Sequence, residues 1–197
     1  MKILAIEREF GSGGREVGMK LAEKAGIPYY DGNIMEETAK EYGISLDLLK
    51  EYDEKKTGSF LYNIAMFANY GNPDGKGNVY NLFFKLQDMV KKICMKGPAV
   101  FIGRCTTEML RDNNNVIKVY IYSSDKEKRL QRVAKTEGVS QEEAKRLMDK
   151  KDRERRDYFK FWTGKNWAER GNYDIELNTS KFSTEECAEI LFGLINM

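Results

Sequence analysis

Phosphate chemistry is the first thing the residue types suggest, in the run Arg8-Glu9-Phe10-Gly11-Ser12-Gly13-Gly14-Arg15-Glu16-Val17-Gly18. Glycines at 11, 13 and 14 let a backbone approach an anion with no side chain in the way. The start of a helix turns free N–H groups and the positive end of its dipole toward the same point. A strand-to-helix turn that merely needs positive φ is the competing reading; the basic flanks Arg8 and Arg15 favour phosphate. A regular phosphate loop runs G-x-x-x-x-G-K-[ST], with Lys on the β- and γ-phosphates and the hydroxyl on Mg²⁺. No Lys follows the glycines here. In one register Gly14 takes its place; in the other Arg15 does, and Glu16 falls where Ser or Thr belongs. Arg15 carries a planar fork that grips phosphate, so it is the expected replacement for the Lys.

Three further constellations join this turn. Tyr29-Tyr30-Asp31-Gly32 ends a short apolar run. Asp31 there either holds a metal-bound water or a substrate hydroxyl, or caps the helix that follows. Gly103-Arg104 ends another such run, and Arg104 reads as a phosphate ligand or as a surface partner of a nearby carboxylate. Lys145 to Lys160 holds eight basic residues against four acidic ones. It is a solvated helix face with i,i+4 pairs, or a basic lid that closes over a triphosphate. Binding of nucleic acid by Tyr158, Phe159, Phe161 and Trp162 is disfavoured by a net charge of only +2.

Composition excludes a good deal. The chain has 197 residues and no histidine, so neither a Ser-His-Asp triad nor a His-ligated metal is available. Cys94, Cys105 and Cys187 are widely separated, which suits a reducing compartment and not a disulfide framework. No apolar run approaches the roughly 18 residues of a membrane span, and no leader precedes the first strand, so the cytoplasm is the expected location.

Apolar runs at Ile3–Ile6, Ile27–Tyr30, Ala99–Ile102, Val116–Tyr122 and Tyr173–Leu177 predict five strands alternating with helices, the pattern of an α/β protein. Residues 32–97 predict a mostly helical insertion that contains the turn-rich stretch Asn69–Asn78. Thr184–Ile195 predicts a closing helix with Cys187, Ala188, Leu191 and Ile195 on one face. One domain carrying insertions accounts for this order.

The order of glycine turn, Tyr-Tyr-Asp, helical insertion, Gly-Arg, basic segment and Leu177-Asn178-Thr179-Ser180 resembles the cytidylate-kinase-like family, a divergent branch of the P-loop nucleoside monophosphate kinases. Phe10–Glu16 and Tyr158–Lys165 are the most specific marks. The resemblance implies a three-layer fold, with a parallel sheet of order 2-3-1-4-5, an acceptor-binding insertion at 32–97 and a lid at 145–165. It implies ATP as donor, Mg²⁺, and a nucleoside monophosphate or another small acceptor. Gly11, Ser12, Gly13, Gly14, Arg15 and Glu16 would cradle the ATP phosphates with Arg8 in reach, and Arg132 would lie near the adenine. Asp31 would stand beside acceptor and metal, Arg104 would hold the acceptor phosphate, and Arg153 and Arg155 would meet the transferring phosphoryl. Three departures stand out: the absent Lys, Cys105 in place of Asp, and Gly32-Asn33 in place of Ser/Thr-Gly. A regulatory module that binds nucleotide without transferring phosphate is the alternative.

Overall fold

In the computed structural model, residues 1–51 and 79–197 are described. Five strands form one parallel sheet of order β2-β3-β1-β4-β5, the order that the family resemblance implies. They are β1 (Ile3–Arg8), β2 (Tyr29–Tyr30), β3 (Val100–Ile102), β4 (Val116–Tyr122) and β5 (Ile175–Asn178). β1 is central and buried along its whole length, pairing with β3 on one side and β4 on the other. Continuous apolar runs without alternation suit such strands, because helices cover both faces.

Parity along β1 divides the core. Leu4 and Ile6 face α1 (Gly14–Ala25) and α8 (Thr184–Ile195), and pack with Val17, Leu21, Cys187 and Leu191. Ile3 and Ala5 face the other layer, built from α2 (Asn33–Tyr42), α3 (Leu46–Glu51) and α4 (Val79–Lys96). Ile34, Leu86, Val90 and Phe101 fill that side. Helix α8 begins with a complete capping box between Ser183 and Glu186, which fixes its start where the sequence predicts it.

The predicted insertion is helical at both ends. Its turn-rich centre, Asn69–Asn78, lies outside the described residues. After α5 (Thr106–Met109) and β4 come α6 (Lys126–Glu137) and α7 (Gln141–Thr163), the second a single helix of 23 residues. The segment expected as a basic lid is therefore one continuous helix. Its carboxyl half is anchored: Tyr158 and Phe159 are buried with Tyr120, Trp167 and Tyr173, and the Trp162 ring stacks on Phe83 at 4.0 Å. Phe159→Ala should destabilise the protein by about 3–5 kcal/mol, since a fully buried ring leaves a cavity. A shift in the urea midpoint at unchanged m-value is the expected reading. No described helix is long and apolar enough to cross a membrane.

Candidate active site

The glycine turn leaves the carboxyl end of β1 and enters α1. Gly11 and Gly13 have φ of 76° and 82°, the left-handed region that favours glycine. Gly13 is the N-cap of α1 and supplies no side chain to cap it; Ser12 Oγ accepts from the Gly14 amide at 3.3 Å. The turn is braced from inside. Ser12 donates to the Glu9 carbonyl at 2.9 Å, and Thr179, just past β5, donates to the Ser12 carbonyl at 2.7 Å.

Asp31 stands beside this turn. Arg15 Nε donates to its Oδ2 at 2.7 Å, and Arg8 Nη2 lies 3.7 Å from its Oδ1. The capping position of α2 is Gly32 and carries no side-chain cap bond. The Asp31 carboxylate thus points into the crevice instead of closing a helix end.

Arg104 follows β3 in an unusual backbone. Gly103, Arg104 and Cys105 have φ of 78°, 61° and 57° in succession, two of them non-glycine residues in the left-handed region. Such conformations cost of order 1–3 kcal/mol each and persist where surrounding structure imposes them, often at working sites. Here the Gly103 amide donates to the Ile6 carbonyl and Thr106 Oγ1 to the Gly103 carbonyl, at 2.8 Å each. Arg104 is buried. That burial pushes its guanidinium pKa down, as does the like charge of Arg8, with Tyr158, Asp31 and Glu7 acting in the opposite sense.

The long helix reaches the same place. Arg155 Nη1 donates to the Arg8 carbonyl at 2.9 Å, and its guanidinium lies over the Phe10 ring, 5.4 Å from the centroid. Arg153, two residues away, is exposed on another face of α7. The structure brings Arg155 to the turn and leaves its expected partner outside. Glu16 and Arg132 form an ion pair of 2.9 Å, which puts Arg132 against the turn. Burial works against the Glu16 charge, yet hydrogen bonds from Lys20 and Thr184 and the charges of Lys20 and Arg132 hold its pKa below the usual range.

Sequence reasoning missed the brace between turn and helix. Asp152 accepts from the Phe10 amide at 2.7 Å and pairs with Arg129, a buried residue that also donates to the Phe10 carbonyl at 2.9 Å. Arg129 Nη1 lies 3.0 Å from Glu9 as well. Burial raises the Glu9 pKa, with the Ser123 amide and Arg129 acting against it. Asp152→Ala leaves the Phe10 amide without its acceptor and Arg129 with Glu9 as its remaining carboxylate, and should cost about 1–3 kcal/mol in urea denaturation. Also missed is Glu7, buried on the Ala5 face of β1, where it accepts from Trp167 Nε1 at 3.3 Å.

Among the described residues no group of three or more His, Cys, Asp or Glu side chains gathers as a metal centre. Mg²⁺ on a nucleotide asks for less, one or two carboxylates beside phosphates and water. Asp31, partly exposed in the crevice, is a donor of the right kind. A separate cavity of about 620 Å³, lined by Phe83, Gln87, Met95, Arg111 and Trp162 among others, includes none of these residues.

Comparison with known proteins follows the same line. The profile of the cytidylate kinase-like family matches residues 3–181. A cytidylate kinase of Methanopyrus kandleri is 24% identical over 195 residues, covering 94% of this chain and 89% of that protein. An uncharacterised protein from Eubacterium ventriosum ATCC 27560 superposes with a TM-score of 0.75 at 27% identity, covering 100% of this chain and 99% of the other. Shikimate kinase from Acinetobacter baumannii, in complex with shikimate, superposes at 0.51 with 16% identity, over 100% of this chain and 93% of that one, a likeness of fold.

Proposed function

The chain belongs to the cytidylate kinase-like family, and from that premise we propose that it transfers the γ-phosphoryl of ATP to a nucleoside monophosphate of the cytidylate kind. One observation carries the reading. Arg8, Arg104 and Arg155, from three separate segments, meet around a glycine turn and a carboxylate at the carboxyl ends of β1 and β3. Phosphoryl transfer needs little covalent help from a protein. It needs positioning and fixed positive charge around the moving group.

Each group has a part in this scheme. Amides of the turn from Gly11 to Glu16 receive the donor phosphates, while those of Ser12 and Gly14 brace the turn from within. Arg104 holds the acceptor phosphate; its burial leaves the charge poorly hydrated and therefore strongly attractive to an anion. Arg155 stabilises charge that develops on the phosphoryl in flight. Asp31 orients the attacking phosphate oxygen and would hold Mg²⁺ on the bound nucleotide, where the ion would neutralise charge on the phosphates. Arg132, set against the turn, lies toward the donor base.

A screen of Mg²⁺-dependent ADP release across the common nucleoside monophosphates tests this reading. Release should rise well above the water-only rate with one pyrimidine monophosphate. A flat response to every monophosphate would remove the transfer assignment. The missing loop Lys favours the second reading, a module that binds nucleotide and regulates; it would bind ATP and release no ADP in that screen.

A further inference from the structure

The register of the irregular motif can be read from the backbone. Gly13 is the left-handed residue immediately before α1, so it answers to the second glycine of G-x-x-x-x-G-K-[ST]. Counting back five places puts Arg8 on the first glycine, and counting forward one puts Gly14 on the Lys. The two special positions have traded residue types: glycine and Lys become Arg and glycine.

The geometry shows why they trade together. A Cβ added at Gly14 would lie 2.6 Å from Arg8 Cβ, 3.1 Å from Arg8 Cγ and 3.2 Å from Ile121 Cβ. These are stem atoms next to backbone, unable to swing away as the end of a long side chain would. The space through which a Lys at 14 would leave the helix is filled by the root of Arg8. Arg8 itself is buried, its carbonyl is held by Arg155, and its guanidinium approaches Asp31 at the crevice. Arg15 differs. Its side chain is 64% exposed and its Nε is engaged with Asp31.

We propose that Arg8, not Arg15, supplies the cation of the missing Lys to the β- and γ-phosphates of a nucleoside triphosphate, and that Gly14 is glycine to make room for it. Arg15 is a positioning residue that orients Asp31. The inference rests on the reading above that this turn binds triphosphate. It adds which residue meets the phosphates, and why the loop lacks its Lys.

Titration calorimetry with Mg·ATP on the full chain tests it, with circular dichroism to confirm each variant is folded. Arg8→Met keeps the stem and removes the charge, and should weaken ATP binding by about tenfold to a hundredfold, the scale of a charge-assisted contact. Arg8→Lys should recover most of that loss. Arg15→Met should stay within about threefold of wild type, as expected when an exposed ion pair is lost. The exchanged variant Arg8→Gly/Gly14→Lys returns the motif to its regular order and should bind ATP better than Arg8→Gly alone. If Arg15→Met loses as much affinity as Arg8→Met, or Arg8→Met loses none, the inference is overturned while triphosphate binding stands. Folded wild type that binds no Mg·ATP would overturn the phosphate-loop reading itself, and this inference with it. Should the exchanged variant not fold, the comparison of Arg8→Met, Arg8→Lys and Arg15→Met decides alone.

Discussion

Replacing Arg155 by methionine should lower kcat by roughly a hundredfold to a thousandfold while ATP affinity changes little. Methionine keeps an apolar side chain beside the Phe10 ring and removes the guanidinium that lies over it and bonds the Arg8 carbonyl, so circular dichroism of the variant accompanies the kinetics. An interaction made mainly in the transition state shows as lost kcat with nearly unchanged ground-state binding. Arg153→Met is the matched comparison, because Arg153 lies on an exposed face of the same helix. It should leave kcat within about twofold, in line with surface substitutions away from special features. Steady-state kinetics on both variants, with ATP affinity measured separately, checks the pair.

The second large effect is expected at Arg104. Arg104→Met should lower kcat/KM for the acceptor by roughly a hundredfold or more, most of it through KM, and leave ATP affinity unchanged. The residue is held in a left-handed backbone by Gly103 and Thr106, and its charge is kept dry by burial. A buried cation gains far more from an anionic partner than an exposed one does. A circular-dichroism melt of the same variant separates loss of the acceptor contact from loss of the fold, since Arg104 also lies among Asp31, Glu7 and Tyr158, which favour its charge. Equal losses for acceptor and ATP would place Arg104 in the common scaffold instead of the acceptor site.

Much of this could be read along the chain. Five apolar runs became the five strands of the sheet, and Thr184–Ile195 became α8 with unchanged bounds, because Ser183 and Glu186 make a local cap. The strand ends shifted for tertiary reasons. Tyr173 looks like the start of β5, yet its hydroxyl bonds the Trp167 carbonyl and its ring joins the aromatic cluster ahead of the strand. β1 extends to Arg8 because β4 continues to pair with it through Ile121.

Contacts between distant segments had no such signal. Asp152 and the Phe10 amide are 142 positions apart, and nothing in the periodicity of either segment links them. Arg129 carries no mark in the sequence that sets it apart from its charged neighbours, although it is the buried link between Glu9, Phe10 and Asp152. Arg153 and Arg155 look alike as letters; helix phase sends one to the turn and the other to solvent. Arg15 reads as the heir of the Lys from its register and its planar fork. The space around Gly14 is filled by the stem of Arg8, a relation that depends on side-chain volume between a strand end and a helix start.

Phosphoryl transfer at the glycine turn is most directly tested by ³¹P NMR of the folded chain with Mg·ATP and cytidine monophosphate. The account predicts that ADP and cytidine diphosphate signals grow together in equal amounts, and that Arg155→Met slows both alike. ATP that binds, as seen from shifts of the Gly11–Glu16 amides, yet persists unchanged with every nucleoside monophosphate supplied would contradict it.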